Sequence, residues 1–174
     1  MVVRYVEKTL TRTVPGARDE VRDFYRDLTK LGRIHPLIVG VERLPDTHDG
    51  GRCANNYRVT DRMPFGPFSY RITYRVRSRE ADDGSLVVDA YQFPRVHVHS
   101  EVQFAEHDSG TVVTERLRLG APWGLLGTVR RYGVEAHVTM LDNLHDLFDT
   151  TAVDEIRRDS RRSSRTRRRN ESRL

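Results

Sequence analysis

The polar residues that could do chemistry in this sequence stand among apolar residues in segments that alternate with a period of two. Glu115 alternates with Val113 and Leu117, and Tyr57 and Tyr74 occupy the same kind of position in earlier segments. Acid–base chemistry on a carbonyl compound needs a proton acceptor beside an acidic carbon and a proton donor beside the carbonyl oxygen. A desolvated glutamate can serve as either, and a tyrosine can serve as the donor. We therefore predict Glu115, Tyr57 and Tyr74 as candidate catalytic residues.

The same alternation places several polar side chains on faces that should be buried. Buried polar groups need hydrogen-bond partners, and a solid apolar core offers few of them. A cavity filled by a ligand or by water supplies such partners, so we predict a pocket. Its ligand-binding residues would be Asn55, Tyr70, Gly133, His137 and Leu141. In the alternative interpretation the tyrosine hydroxyls reach the rim of the domain, Glu115 pairs with an arginine, and His137 is an ordinary core residue.

Metal and nucleotide sites are not predicted. His97, His99 and Glu101 form an H-x-H-x-E pattern, a spacing that can collect metal ligands. The opposite phase of that segment is apolar, so the histidines are expected to face solvent and we assign no metal. The sequence contains no phosphate-binding glycine loop and no nucleophile elbow, and the single cysteine, Cys53, has no base partner. We also expect no cofactor. His35 is expected to cap a turn.

The elements that must position these residues follow from periodicity and turn signals. A first strand is predicted over Val2–Arg12, and Pro15 followed by an apolar stripe predicts a short helix and then a second short turn. Turn pairs such as Asp83-Gly84 separate six further predicted strands. These strands are Leu37–Leu44, Arg52–Arg62, Phe68–Arg79, Ser85–Phe93, Val96–Ala105 and Thr111–Leu119, with a polar loop over Asp46–Gly51. A long amphipathic helix, Pro122–Phe148, is predicted to close the domain and to lie across the sheet.

Alternation also predicts which side chains of these strands face the interior. The inward sets begin at Cys53 in the third strand and at Phe68 in the fourth. They comprise Cys53, Asn55, Tyr57 and Val59, then Phe68, Tyr70, Ile72, Tyr74 and Val76, and later Val96, Val98, Val102, Phe104, Val113, Glu115, Leu117 and Leu119.

Charge is divided unevenly along the 174 residues. Residues 157–174 hold nine arginines and two acidic residues, a net charge of +7, which leaves −2 for the rest of the chain. We therefore predict one domain, residues 1–150, and a disordered arginine-rich tail, residues 151–174, because a stretch almost without apolar residues cannot build a core. Nucleic acid could bind such a tail, although charge runs are more often solvated appendages.

Three features of the sequence bear on the cellular compartment that we expect for the protein. No apolar run approaches the ~20 residues of a membrane span, and the N-terminus lacks the apolar segment of a signal peptide. A single cysteine cannot form an intramolecular disulfide. We expect a cytoplasmic protein without a membrane span, and we predict no oligomeric state.

Two stretches resemble a known superfamily. They are IHPLIVGVERL, with its His35-Pro36 corner, and VTERLRLGAPWGLLGTVRRYGVEAHVTMLDNL, with Glu115 and the Ala136-His137 pair. Together with the order of elements over residues 2–149, they resemble the START-like (SRPBCC) superfamily, and most of all its bacterial polyketide cyclase/dehydrase-type members. The resemblance implies an α+β helix-grip fold, in which a curved seven-stranded antiparallel sheet wraps around a long C-terminal helix, with two short helices near the N-terminus. It also implies a deep hydrophobic pocket that takes lipids, sterols, polyketides or hormones.

Three functions fit these observations. The first is binding of a small hydrophobic molecule, polyketide- or lipid-like, with polyketide cyclase or aromatase activity. The second is a noncatalytic carrier or sensor of hydrophobic ligands. The third is an interaction protein of the same fold that works on RNA or the ribosome through its basic tail. A fold supports many functions, so only the site can decide among them.

Overall fold

The computed structural model describes the backbone of residues 2–49 and 52–171, and the side chains of residues 2–48, 53–64 and 66–150. Seven strands and three helices lie in the described part of the chain. In chain order they are β1 (Val3–Val14), α1 (Arg18–Arg26), α2 (Leu28–Leu31), β2 (Ile38–Asp49), β3 (Arg52–Phe65), β4 (Phe68–Glu80), β5 (Leu86–Gln92), β6 (Val96–His107), β7 (Gly110–Pro122) and α3 (Leu126–Glu171).

All seven strands form one antiparallel sheet in the order β1-β7-β6-β5-β4-β3-β2. Strands β2 to β7 are a meander of sequential hairpins, because each turn is short enough to pair its two flanking strands. The connection between β1 and β2 spans the width of the sheet and contains α1 and α2. Asp27 separates these two helices, since its side chain caps α2 by accepting from the backbone N–H of Thr29 at 3.0 Å. The predicted α+β helix-grip architecture is confirmed.

Helix α3 lies over one side of the curved sheet and packs chiefly on β1 and β7. The apolar core is consequently split into two clusters. The larger joins α1, α3 and strands at the β1 edge, through residues such as Val21, Val113 and Leu144, whereas the smaller joins Tyr57, Val59 and Val76 in β3 and β4. A layer that contacts only part of a sheet leaves space over the remainder, and the cavity described below lies there.

Glycine is required where β6 turns into β7. Gly110 has φ +131°, and a Cβ on it would lie 2.2 Å from the carbonyl oxygen of Val14. Only glycine adopts such a backbone freely, and no side chain fits against the neighbouring carbonyl. This position therefore lets the β6–β7 hairpin reach the end of β1.

Several local predictions differ from the structure. Strand β2 continues to Asp49 where a polar loop is predicted from Asp46, and residues 50–51 of that loop lie outside the described part. The last helix begins at Leu126, because Pro122 still belongs to β7 and a turn follows it. Cys53 and Phe68, predicted to face inward, are exposed, since the outer ends of β3 and β4 extend beyond the core.

The C-terminal tail is described only in part. Helix α3 extends to Glu171, but the side chains from residue 151 onward and all of residues 172–174 lie outside the description. The separate disordered tail, residues 151–174, therefore stays a prediction. Among the described residues, no helix combines the length and the apolar character needed to cross a membrane.

Candidate functional site

A cavity of about 610 Å³ lies between the sheet and the first half of α3. Its volume is within the range of about 300–1,000 Å³ that is usual for small-molecule sites. Apolar side chains such as Val59, Val98 and Met140 form much of its wall, and exposed Phe93 and Leu125 stand at its rim. Polar side chains also line the cavity, and those that contact one another on its wall are Tyr25, His35, Asp61, Tyr74, Ser100, Glu115 and His137.

Glu115 is the centre of the first polar group in this wall. Its side chain on β7 is 1% exposed, and its Oε1 accepts hydrogen bonds from the Ser100 hydroxyl and from Nδ1 of His137, the latter at 2.9 Å. Ser100 lies on β6 diagonally across from Glu115 on the same face of the sheet. Oε2 has no hydrogen-bond partner among the described residues. The hydroxyl of buried Tyr25 lies beside the carboxylate and helps to lower its pKa.

Glu115 and His137 shift each other's pKa in opposite directions. Burial alone would raise the pKa of Glu115, but the charge of His137 and its hydrogen bonds outweigh burial and lower that pKa. Burial would likewise lower the pKa of His137, but the Glu115 carboxylate outweighs it and raises that pKa. Both pKa shifts favour the form of the pair in which His137 is an imidazolium and Glu115 is a carboxylate. Because Nδ1 of His137 faces Glu115, Nε2 is the nitrogen that can give a proton to a ligand.

Asp61 and Tyr74 make a second polar group on the wall, from β3 and β4. The Tyr74 hydroxyl donates to Oδ2 of Asp61 at 2.9 Å, whereas Oδ1 of Asp61 is buried and has no hydrogen-bond partner among the described residues. Burial raises the pKa of Asp61 to about 6, although Tyr74 and the charge of His137 act in the opposite direction. An ionised Asp61 therefore presents a desolvated, unoccupied oxygen to the cavity. Such an oxygen is a good proton acceptor near neutral pH.

His35 completes the polar wall. Its ring meets the ring of His137 edge to face, with the centroids 5.7 Å apart. Burial lowers the pKa of His35 to about 3, and the charge on His137 adds to this effect. His35 is thus neutral at physiological pH, and its Nδ1 accepts from the backbone N–H of Leu37 at 3.4 Å. The expected turn-capping contact is present, and the same side chain also faces the cavity.

The structure brings together five of the eight residues that the sequence analysis assigned to the site. Glu115, Tyr74, Tyr70, Gly133 and His137 all line the cavity. The other three do not line it. Tyr57 is buried in the smaller core cluster beneath Leu28 of α2, Asn55 accepts from Arg43 at 3.4 Å, and Leu141 is buried in the larger core cluster.

Sequence reasoning did not select Asp61, Ser100, Tyr25 or His35 for the site. Asp61 and Ser100 had a signal, because each continues the inward phase of its strand, at 53-55-57-59-61 and at 96-98-100-102. Tyr25 belongs to the apolar stripe of α1 and carried no separate signal. His35 reaches the wall only because the segment before β2 approaches α3, which is a tertiary contact that no local pattern encodes.

Comparison with known proteins identifies the fold. No protein-family model matches the sequence, and no curated protein sequence matches it. Among solved structures, the protein TTHA0849 from Thermus thermophilus has a TM-score of 0.63 at 16% identity, over 84% of this chain and 99% of that one. The Zhui aromatase/cyclase from Streptomyces sp. R1128 has a TM-score of 0.56 at 18% identity, over 82% of this chain and 94% of that one.

The di-domain aromatase/cyclase StfQ from the steffimycin biosynthetic pathway gives a TM-score of 0.66 at 13% identity. The match covers 85% of this chain and 52% of StfQ, so this chain spans about half of that protein. Identities this low show a shared fold and do not by themselves show a shared activity. The fold predicted from the resemblance to START-like proteins is confirmed, and it is one that aromatase/cyclases also have.

Proposed function

We propose that this protein binds an apolar small molecule, polyketide-like, in the cavity and catalyses a ring closure on it by proton transfer. The observation that carries the proposal is that two oppositely prepared groups line the same cavity, Asp61 from the sheet and His137 from α3. Asp61 offers a desolvated carboxylate oxygen without a partner among the described residues, and His137 is held as an imidazolium by Glu115. Groups whose surroundings drive their pKa values apart are the usual basis for assigning a base and an acid.

Each residue then has a role in the reaction. Oδ1 of Asp61 removes a proton from a carbon that lies between two carbonyl groups. The resulting carbanion attacks a ketone carbon of the same molecule, and a new carbon–carbon bond forms. The ketone oxygen takes the Nε2 proton of His137 as its charge develops. Proton exchange with solvent restores both groups.

Two further residues act through these. Glu115 keeps His137 protonated and fixes its ring through Nδ1, and Tyr74 fixes Asp61 through Oδ2. Both are positioning residues in this proposal. Glu115 and Tyr74 are two of the three residues for which the sequence suggested direct acid–base roles, and in this proposal the proton transfers belong to their partners. Tyr57 has no role in the reaction, because it lies in the core away from the cavity.

A hydrogen-exchange measurement tests the base without knowledge of the natural substrate. An aryl β-diketone, such as 1-phenyl-1,3-butanedione, is mixed with the protein in deuterated buffer, and deuterium at the central carbon is followed by NMR. We expect the protein to accelerate exchange, and Asp61→Asn to reduce the acceleration by about 10²–10⁴-fold, the usual contribution of a general base. The matched control is Asp142→Asn, since Asp142 forms an exposed ion pair with Arg12 on the outside of the domain.

The pH dependence provides a second test. Activity should rise as Asp61 ionises, near pH 6, and should fall at higher pH as His137 passes through its raised pKa and loses its proton. A bell-shaped profile is therefore expected. In Glu115→Gln the alkaline limb should move to lower pH, because the group that raises the pKa of His137 is gone.

A noncatalytic carrier is the second candidate function, and the largely apolar wall of the cavity favours it. Displacement of an apolar fluorescent probe by the diketone measures binding separately from exchange. Binding of the diketone without any acceleration of exchange would contradict the proposed catalytic function and support a noncatalytic carrier. An acceleration that persists in Asp61→Asn would contradict the assignment of the base.

A further inference from the structure

A second group of side chains lies on the outer face of the sheet, away from the cavity. Nε2 of His97 lies 3.0 Å from Oδ1 of Asp89, and Nδ1 of His99 lies 2.8 Å from the same oxygen. One atom from each of the three side chains lies within 4.8 Å of the other two. All three side chains are partly buried, at 23%, 34% and 19% exposed for His97, His99 and Asp89. Two imidazole nitrogens and one carboxylate therefore converge on one point.

The register of two neighbouring strands places these side chains together. His97 and His99 are two residues apart on β6 and so point to the same face, and Asp89 is the register partner of His99 on β5. Tyr91, the register partner of His97, stacks on the His97 ring with centroids 4.4 Å apart and planes inclined by 6°. Stacking restricts the rotation of that ring. The histidine pair was visible in the sequence, but its acidic neighbour Glu101 is not the third member; Asp89 from the adjacent strand is.

We propose that Asp89, His97 and His99 form a binding site for a divalent transition-metal ion. Around an ion with bonds of about 2.0–2.1 Å, tetrahedral ligand atoms lie roughly 3.3 Å apart, so the two histidine–Asp89 separations need to open by only a few tenths of an ångström. Imidazole nitrogens select zinc, cobalt, nickel or copper over magnesium and calcium. Three protein ligands leave one position for water.

The charged neighbours set limits on the affinity. Arg77 on β4 is the register partner of Asp89, and Arg118 on β7 is the register partner of His99. Arg118 also stacks over Tyr5 at 4.3 Å and pairs with Glu7 at 3.7 Å. Two cationic neighbours weaken the purely electrostatic attraction of a cation. They disfavour hard ions further, and leave metal–imidazole bonding as the source of affinity.

The site is separate from the cavity. Val96 and Val98 line the cavity from the same strand, and alternation directs His97 and His99 to the other face. An ion bound here would join β5 to β6 from outside and would not touch a ligand in the cavity. Metal binding and ligand binding can therefore be measured and lost independently of each other.

Cobalt(II) titration of the untagged full chain tests the proposal, because cobalt bound to imidazole gives visible ligand-field absorption. We expect a band that saturates at a single ion per chain and that zinc displaces. His97→Gln, His99→Gln and Asp89→Asn should each weaken cobalt binding by at least about tenfold, since loss of even an outer-sphere partner weakens metal sites by 10–100-fold. His107→Gln is the matched control, because His107 lies on the same face of β6 and its Nδ1 hydrogen-bonds with the hydroxyl of Ser109, outside the proposed site.

Far-UV circular dichroism and binding of the apolar probe report whether each variant remains folded. A second measurement needs no variant: zinc added to protein with nitrogen-15-labelled histidines should shift the ring resonances of two histidines. Absence of a saturable band in the wild type would overturn the proposal. So would a band that survives the His97→Gln/His99→Gln double substitution, a band lost in His107→Gln, or ring resonances that zinc leaves unchanged.

Discussion

Replacement of Glu115 by glutamine removes a buried negative charge and keeps the size of the side chain. Glu115 is 1% exposed, and its Oε1 accepts from both His137 and Ser100. A glutamine oxygen can still accept from one of these donors. What the substitution removes is the counter-ion of His137, whose imidazole is itself only 17% exposed. The change in the free energy of unfolding therefore depends on whether His137 keeps its proton.

Two limiting cases bracket the loss of unfolding free energy in Glu115→Gln. If His137 stays charged, an unpaired cation is left buried, and breaking a buried ion pair in this way costs about 3–5 kcal/mol. If His137 discharges, only hydrogen bonding is impaired, and a buried acceptor that loses a good partner costs about 1–3 kcal/mol. The pH selects between these limits.

The direction of this pH dependence follows from the pKa shifts of His137 and Glu115. The pKa of His137 is raised in the folded protein, so its contribution to stability is complete below pH 6.5 and is lost as pH rises through the raised value. The pKa of Glu115 is lowered, so its contribution is complete above pH 4.5 and is lost as pH falls through the lowered value. The pair stabilises the fold most between pH 4.5 and pH 6.5. The cost of Glu115→Gln should approach the upper limit there and the lower limit at alkaline pH.

Urea unfolding followed by far-UV circular dichroism measures this cost at each pH. The matched control is Glu135→Gln, because Glu135 forms an exposed pair with Arg131 at 3.4 Å on the same helix as His137. That substitution should cost about 0.5 kcal/mol or less at every pH. A cost of Glu115→Gln that is constant with pH, or that grows at alkaline pH, would refute the assignment of an ion pair. A double-mutant cycle with His137→Gln should give a coupling free energy that follows the same pH dependence.

Three further outcomes are expected. Burial raises the pKa of Asp61 from 3.8 to about 6, so the wild-type protein loses stability as pH rises through this range, and the loss is complete above pH 6. In urea unfolding, Asp61→Asn should therefore stabilise the protein by roughly 1–3 kcal/mol near pH 8 and have little effect near pH 4. Equal effects at both pH values would contradict this. Gly133→Leu should weaken apolar-probe binding at least about tenfold in a folded protein, whereas Gly127→Leu, where an added Cβ meets nothing within 4 Å, should not. Equal affinity in the two variants would contradict the position of the cavity. Deletion of residues 157–174 should leave the thermal midpoint and probe binding unchanged. Any RNA binding by the full chain should weaken with salt at a log–log slope approaching about −6, and the truncated protein should not bind RNA. A truncated protein that unfolds or still binds RNA would contradict the separation of tail and domain.

The fold was predictable because its signals are local. Alternation along single strands and glycine-containing turns between them specify a meander, and a long helical stripe after the last strand specifies a covering layer. The same signals failed at Cys53 and Phe68, where the strands continue past the edge of the core. Alternation reports which side of a strand a residue is on, and it does not report whether the core extends that far.

The site was predictable only where its residues stood out within one element. Glu115 and Tyr74 are polar positions on apolar faces, and His137 interrupts an apolar helix stripe. The unoccupied oxygen of Asp61 and the contact of His35 with His137 depend on how β3, α3 and the segment before β2 meet. The grouping of Asp89 with two histidines likewise depends on the register of β5 and β6. Such juxtapositions arise from packing, so they required the structure.

The pairing of β1 with β7 has a consequence for synthesis of the chain. Val3 pairs with Pro122 and Val14 with Thr111, and in the described sheet β7 is the only strand beside β1. A ribosome delivers β1 first and its partner last, so the first strand must wait unpaired while the hairpins from β2 onward can assemble as they emerge. An unpaired strand is open to wrong partners and to chaperones during that interval. Helix α3, which carries His137, emerges later still, so the cavity can enclose a ligand only after the first turns of α3 have left the ribosome.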